Sequence, residues 1–176
     1  MEQKFVVNDK LRKNFENAWR ERQVIFFSAP CGFGKTTTAK FLLARRTVCY
    51  QDIAELNKPK LSLDFDCDAI LLDNLQMLKD LELQNQLVAE IRKHKETHFV
   101  LLSRGVLPGW LMPFRNESLL QLFANSDLLF DQQTVAEMLH LYGVELTELE
   151  LVALQKNACG YPLALNILCQ QLKAGA

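Results

Sequence analysis

Apolar positions along this chain fall into two rhythms. Leu11, Phe15, Ala18 and Trp19 recur at helical spacing, so a short amphipathic helix opens the chain. Val24 to Phe27 then run without a polar break and predict a buried strand over 24–28, followed by a loop at 29–34 and a helix from 35 to about 45. Thr47 to Tyr50 reads as a second strand, and Pro59 among scattered charges makes 51–67 a loop. Ala69 to Leu72 is a continuous apolar run, as expected of a central parallel strand covered on both faces. Leu83, Leu87, Val88 and Ile91 mark a helix over about 80–95, His98 to Ser103 another buried strand, and Leu119 to Phe123 a last strand. Strands alternating with helices predict an α/β fold, a parallel sheet flanked by helices, over residues 1–126.

The rhythm changes after Asp127. Val135, Met138, Leu139 and Tyr142 form one helical face that Gly143 closes. Thr147 and Glu150 have the spacing of a capping box, Gly160 ends that second helix, and Pro162 opens a third. Residues 127–176 are therefore expected to form a small helical subdomain beside the α/β domain.

The stretch Ala29-Pro30-Cys31-Gly32-Phe33-Gly34-Lys35-Thr36 joins the first strand to a helix. A glycine-bearing loop in that position, ending Gly-Lys-Thr, makes a phosphate cradle: backbone amides turn inward and the helix N-terminus adds positive potential. Lys35 would reach the β- and γ-phosphates and the Thr36 hydroxyl would take a Mg²⁺ coordination site, with Thr37 next in the helix. Ala29 stands where the pattern asks for glycine. Asp73 ends the apolar run 69–72 and is the candidate carboxylate partner of Mg²⁺, usually acting through water. Asn74 follows it, where a second acid would assist an attacking water, so hydrolysis is expected to be slow; the bland reading is that Asn74 caps the following turn. Arg104 follows the strand at 98–103, which puts it at the strand ends where a ligand binds, either as a γ-phosphate sensor or as a surface arginine.

Composition narrows the classes. Hydrophobic residues make up 49% of 176, enough for a packed core, and a net charge of −1 gives no electrostatic footprint for nucleic acid or an anionic membrane. The basic runs at 45–46 and 92–95 fall at expected helix ends and read as solvated charge complementing the helix dipole. Five cysteines without metal-ligand spacing suit free thiols in a reducing compartment; Cys31 beside a helix N-terminus reads as either a redox-sensing thiol or a packing residue. The opening residues lack a signal-peptide pattern and no apolar run reaches 18 residues, so a soluble cytoplasmic protein is expected.

Taken together, the phosphate loop through Thr37, Ile70-Leu71-Leu72-Asp73-Asn74, Leu101-Leu102-Ser103-Arg104 and Leu128-Leu129-Phe130-Asp131 before a helix resemble the STAND class of P-loop NTPases. The resemblance is to the nucleotide-binding module of large ATP-dependent LuxR-type, maltose-regulon-activator-like bacterial regulators. Gly160-Tyr161-Pro162-Leu163 resembles that group's Gly-x-Pro segment, shared with NB-ARC proteins. The resemblance implies an ATP or ADP switch with Mg²⁺, at most a slow ATPase. It also implies that Pro162 packs on the adenine or sugar and that the tail clamps the nucleotide. It further implies that the chain belongs to a longer protein with downstream sensor and DNA-binding effector domains and nucleotide-dependent self-association. Competing readings are a stand-alone ATPase or small-molecule kinase, and a scaffold with little nucleotide binding.

Overall fold

The computed structural model describes residues 5–56, 61 and 63–174. Asn8 starts the first helix: its Oδ1 accepts from the Lys10 and Leu11 amides at 2.8 and 3.3 Å, satisfying donors that a helix N-terminus leaves open. Helix α1 (Asp9–Glu21) buries Leu11, Phe15 and Ala18, the face its periodicity foretells. Strand β1 (Val24–Ser28) leads to helix α2 (Lys35–Leu42), and β2 (Val48–Asp52) and β3 (Ala69–Asp73) follow. Helix α3 (Leu81–Lys93), strand β4 (His98–Ser103), the short helix α4 (Met112–Asn116) and strand β5 (Leu120–Ala124) complete the α/β part. The five strands are parallel in the order β2-β3-β4-β1-β5.

The unbroken apolar runs reflect a sheet buried on both faces. On one face Ile25, Phe27, Leu71, Val100 and Leu102 pack with Phe15 of α1 and Ala39 and Leu42 of α2. On the other, Val24, Phe26, Ile70, Leu72 and Phe99 pack with Leu87 and Ile91 of α3 and Phe114 of α4. Alternate residues of one strand thus serve opposite layers, which demands apolar side chains at every position.

Several boundaries differ from expectation for identifiable reasons. Helix α2 stops at Leu42, not near 45, and Arg46 turns back so that its guanidinium donates to the Leu42 carbonyl at 2.7 Å. That bond satisfies a helix-end acceptor, but the side chain lies 4.1 Å over Trp19 and bonds Glu16 at 2.8 Å, so it is not solvated charge. Arg92 stays exposed, as expected of solvated charge, and there it pairs with Glu117 through both terminal guanidinium nitrogens and lies over Phe114. Thr47 stays out of β2 because its amide and hydroxyl donate to Asp68 at 2.7 and 2.8 Å; the strand instead runs on to Asp52. The expected loop at 51–67 holds a 3-10 turn at Ile53–Glu55, and Pro59 lies outside the described residues.

The tail folds as helices α5 (Gln132–Tyr142), α6 (Glu148–Ala158) and α7 (Pro162–Lys173). The capping box forms, with Thr147 N donating to Glu150 Oε2 at 2.8 Å and Glu150 N donating to Thr147 Oγ1 at 3.4 Å. Phe130, Val135, Leu139, Leu165 and Cys169 make a third apolar cluster of its own. Leu128 still packs in the α/β core and Phe130 in the tail core, so the changeover falls between them. Val6 joins the tail cluster while Val7 joins the α/β core, and Asn8 Nδ2 donates to Asp131 at 3.1 Å. The segment before α1 therefore stitches the two units together.

Candidate functional site

Strand ends and the start of α2 converge on one side of the sheet. Gly32 and Gly34 take left-handed backbone angles, φ 85° and 71°, and curl the loop into the helix. Lys35, 8% exposed, turns its Nζ onto the carbonyls of Ala29 at 2.6 Å and Pro30 at 2.9 Å. Burial pushes the Lys35 ammonium below its ordinary range; the nearby Asp73 and Cys31 oppose that and Arg104 reinforces it. The Thr36 hydroxyl donates to Asp73 Oδ2 at 2.5 Å, across 37 positions of sequence. A hydroxyl and a carboxylate brought together beside a buried lysine form a hard oxygen set of the kind Mg²⁺ takes alongside phosphate oxygens.

Asn74 is placed differently from expectation. It has φ 55°, a left-handed conformation that asparagine tolerates, and its side chain caps nothing in the following 3-10 turn. Its Nδ2 instead donates to both carboxylate oxygens of Asp52 at 2.9 and 3.1 Å, and its Oδ1 accepts from Gln76 Nε2 at 3.1 Å. The amide is therefore engaged at both ends.

These residues border a cavity of about 380 Å³. The α/β part contributes Lys35, Thr36, Asp73, Asn74, Gln76 and Arg104, with Cys31, Gly32, Gly34 and Thr37 from the loop and first turn. The tail and the N-terminal segment contribute Val6, Phe130, Met138, Tyr142 and Pro162, together with Asn166 of α7. Such a pocket, polar from one unit and largely apolar from the other, matches a ligand with a charged end and a flat apolar end. Arg104 is exposed at the cavity wall, and its backbone amide donates to Gln76 Oε1 at 3.0 Å. Pro30 and Phe33 are not on that wall. Pro30 gives its carbonyl to Lys35, and Phe33 packs against Tyr161 with ring centroids 5.0 Å apart.

Tyr161 joins the tail to the loop: its hydroxyl donates to the Cys31 carbonyl at 2.9 Å. It reaches there because residue 32 lacks a side chain; a Cβ on Gly32 would sit 1.8 Å from the Tyr161 oxygen. Gly160 makes a second close approach, with φ 69° and its carbonyl accepting from Phe130 N at 2.9 Å. Helix α6 ends at Ala158 with Cys159 as its cap, so Gly160 is the left-handed glycine just past the helix end, as expected.

The fold resembles those of solved structures. A Walker-type ATPase of Pyrococcus abyssi superposes with a TM-score of 0.68 and 13% identity, covering 97% of this chain and 69% of that one. The RuvB Holliday junction branch migration motor of Thermotoga maritima gives 0.60 and 18%, covering 92% of this chain and 59% of that one. The chain has the P-loop ATPase fold. A DNA replication initiation factor superposes with a TM-score of 0.55 and 19% identity, covering 87% of this chain and 58% of that one. All three solved proteins are longer than the segment they share with this chain. No sequence-family model and no curated protein matches the chain by sequence. Among the described residues no helix is long and apolar enough to cross a membrane.

Sequence reasoning missed Asp52, Gln76, Tyr161 and Val6. Asp52 was within reach, since Val48 to Asp52 is a second strand ending in an acid at the same sheet edge as Asp73, and the two are register partners. Gln76 lies in a 3-10 turn with no periodicity, and nothing in the sequence marks Val6.

Proposed function

We propose that the chain is a Mg-ATP/ADP-binding switch module of the STAND type, with slow hydrolysis, acting within a longer regulator. One observation carries the nucleotide reading: the contact of Thr36 with Asp73 beside the buried Lys35, at a glycine-curled loop opening a helix. Lys35 would exchange its two carbonyl partners for phosphate oxygens, and the loop amides and the α2 N-terminus would hold the remaining charge. Mg²⁺, held by Thr36 and Asp73, would neutralise phosphate charge. Pro162, Val6 and Met138 offer the base or sugar an apolar bed, and Arg104 faces the terminal phosphate.

Slow hydrolysis follows from Asn74. An amide cannot take a proton from water, and base assistance is worth about 10²–10⁴-fold. The amide here is also already bonded to Asp52 and Gln76. A site that binds tightly and turns over slowly suits a switch, in which ligand favours one arrangement of the tail against the α/β part. The order of motifs, with Gly160-Tyr161-Pro162 at the tail, supports the regulator context. In that setting downstream sensor and effector domains and self-association would read the switch.

Calorimetric titration with ATP and ADP, with and without Mg²⁺, tests this reading. Wild-type protein should bind both. Lys35→Ala should lose charge-assisted hydrogen bonds of roughly 1.5–3 kcal/mol, or about 10- to 150-fold in Kd. Equal affinities for the two proteins would refute the assignment of this loop.

A further inference from the structure

Four residues from three strand ends form one hydrogen-bonded chain at the polar wall of the cavity. Asp52, at the end of β2, accepts from the Asn74 amide nitrogen through both of its carboxylate oxygens, at 2.9 and 3.1 Å. Asn74 accepts from Gln76, and Gln76 accepts from the backbone amide of Arg104 at 3.0 Å. Asn74 N also donates to Asp73 Oδ1 at 2.7 Å, so the chain starts beside the Thr36–Asp73 contact and ends at the arginine. Asn74, Gln76 and Arg104 all border the cavity, whereas Asp52 stands behind them. An amide has two distinct ends, and a carboxylate can only accept. Asp52 therefore forces the Asn74 nitrogen toward itself and the Asn74 oxygen toward Gln76. That in turn fixes the Gln76 nitrogen on Asn74 and leaves its oxygen for Arg104.

We propose that Asp52 and Gln76 are positioning residues that set the preference of this site for a nucleoside triphosphate over a diphosphate, by holding the Arg104 backbone beside the terminal-phosphate position. The proposal rests on the nucleotide reading above and adds to it the residues that discriminate between the two ligands. ADP reaches the loop, Lys35 and the tail but offers nothing at the far end of the relay. Only a γ-phosphate depends on where Arg104 stands.

The test is titration of the full chain with ADP and with a non-hydrolysable ATP analogue, both with Mg²⁺, alongside the thermal midpoint of each variant. Gln76→Ala should weaken the analogue by on the order of 10-fold while ADP changes little, the size expected of one lost hydrogen bond. Asp52→Ala should shift the ratio the same way. Asn74→Asp alone should also shift it, because two carboxylates then face each other at the Asp52 contact. The exchange variant Asp52→Asn with Asn74→Asp re-forms the pair with donor and acceptor swapped, still accepts from Gln76, and should restore the ratio. A merely structural turn would lower the midpoint and weaken both ligands together. That result, an unmoved ratio, or an exchange variant no better than Asp52→Ala overturns the relay. If wild type binds and Lys35→Ala weakens it while the ratio stands still, the relay alone fails. If wild type binds neither ligand, the nucleotide reading fails and takes the relay with it.

Discussion

Gly160 is where the tail meets the chain that leads into it, and replacing it separates two costs that a second glycine can calibrate. Gly160 and Gly143 share a left-handed backbone, with φ 69° and 72°. A Cβ on Gly143 meets nothing within 4 Å, whereas a Cβ on Gly160 would lie 2.6 Å from the Phe130 carbonyl oxygen and 3.3 Å from its nitrogen. Gly143→Ala should therefore cost only the left-handed strain, about 1–2 kcal/mol. Gly160→Ala adds a clash with backbone that is itself hydrogen-bonded to residue 160, and overpacking of that kind costs a further ~1–3 kcal/mol. For a chain of this length, each kcal/mol lowers the melting temperature by about 2–4 °C. Urea unfolding of the two variants side by side should show Gly160→Ala the less stable by at least about 1 kcal/mol. Nucleotide affinity should fall in Gly160→Ala alone, because Pro162 follows two residues later on the cavity wall. Equal losses of stability would refute the close approach at Phe130, and unchanged affinity would refute its link to the site.

Other outcomes follow from the site. Burial holds the Lys35 pKa below 10.5, so the charge that phosphate requires is fully present at low pH and is lost as pH rises toward that ordinary value. Nucleotide affinity should fall over that alkaline window with net proton uptake on binding, seen as buffer-dependent heats in calorimetry; a flat profile that ends in Lys35→Ala behaviour at no pH would contradict it. ATP hydrolysis by the chain should stay well below the ~10 s⁻¹ typical of enzymes, measured as phosphate release. The exchange variant Asp52→Asn with Asn74→Asp should raise that rate, since it supplies a carboxylate at position 74 without a second one facing it; an unchanged rate would refute the role given to Asn74. Pro162→Ala should weaken ADP modestly, as only a small apolar contact is lost, and a loss as large as that of Lys35→Ala would mean that Pro162 does more than pack.

Most of the sheet was legible because its strands are buried on two faces, which leaves apolar runs such as Val24 to Phe27 with no other reading. The tail was legible through its punctuation: Gly143, the Thr147–Glu150 box and Pro162 each act within a few residues of themselves. Contacts between distant segments left no such trace. Arg46 over Trp19, Arg92 over Phe114 and Val6 in the tail core depend on where helices dock, and a charged or lone apolar residue looks the same in sequence wherever it lands. The site shows the same division. Lys35, Thr36 and Asp73 were readable from a local loop and a strand end, whereas Asn74 turned out to bond Asp52, 22 positions away, instead of capping its own turn. Tyr161 stood in plain view between Gly160 and Pro162, yet its bond to Cys31 spans 130 positions.

The central claim is that the loop at 29–36 and the tail around Pro162 form one nucleotide site. Hydrogen exchange of the full chain, with and without saturating ADP and Mg²⁺, tests it most directly. Ligand held by both units should slow exchange in the loop and in the 160–170 segment together, since a ligand stabilises the arrangement that binds it. Protection of the loop with the tail unmoved would contradict the account and leave the tail a passive neighbour.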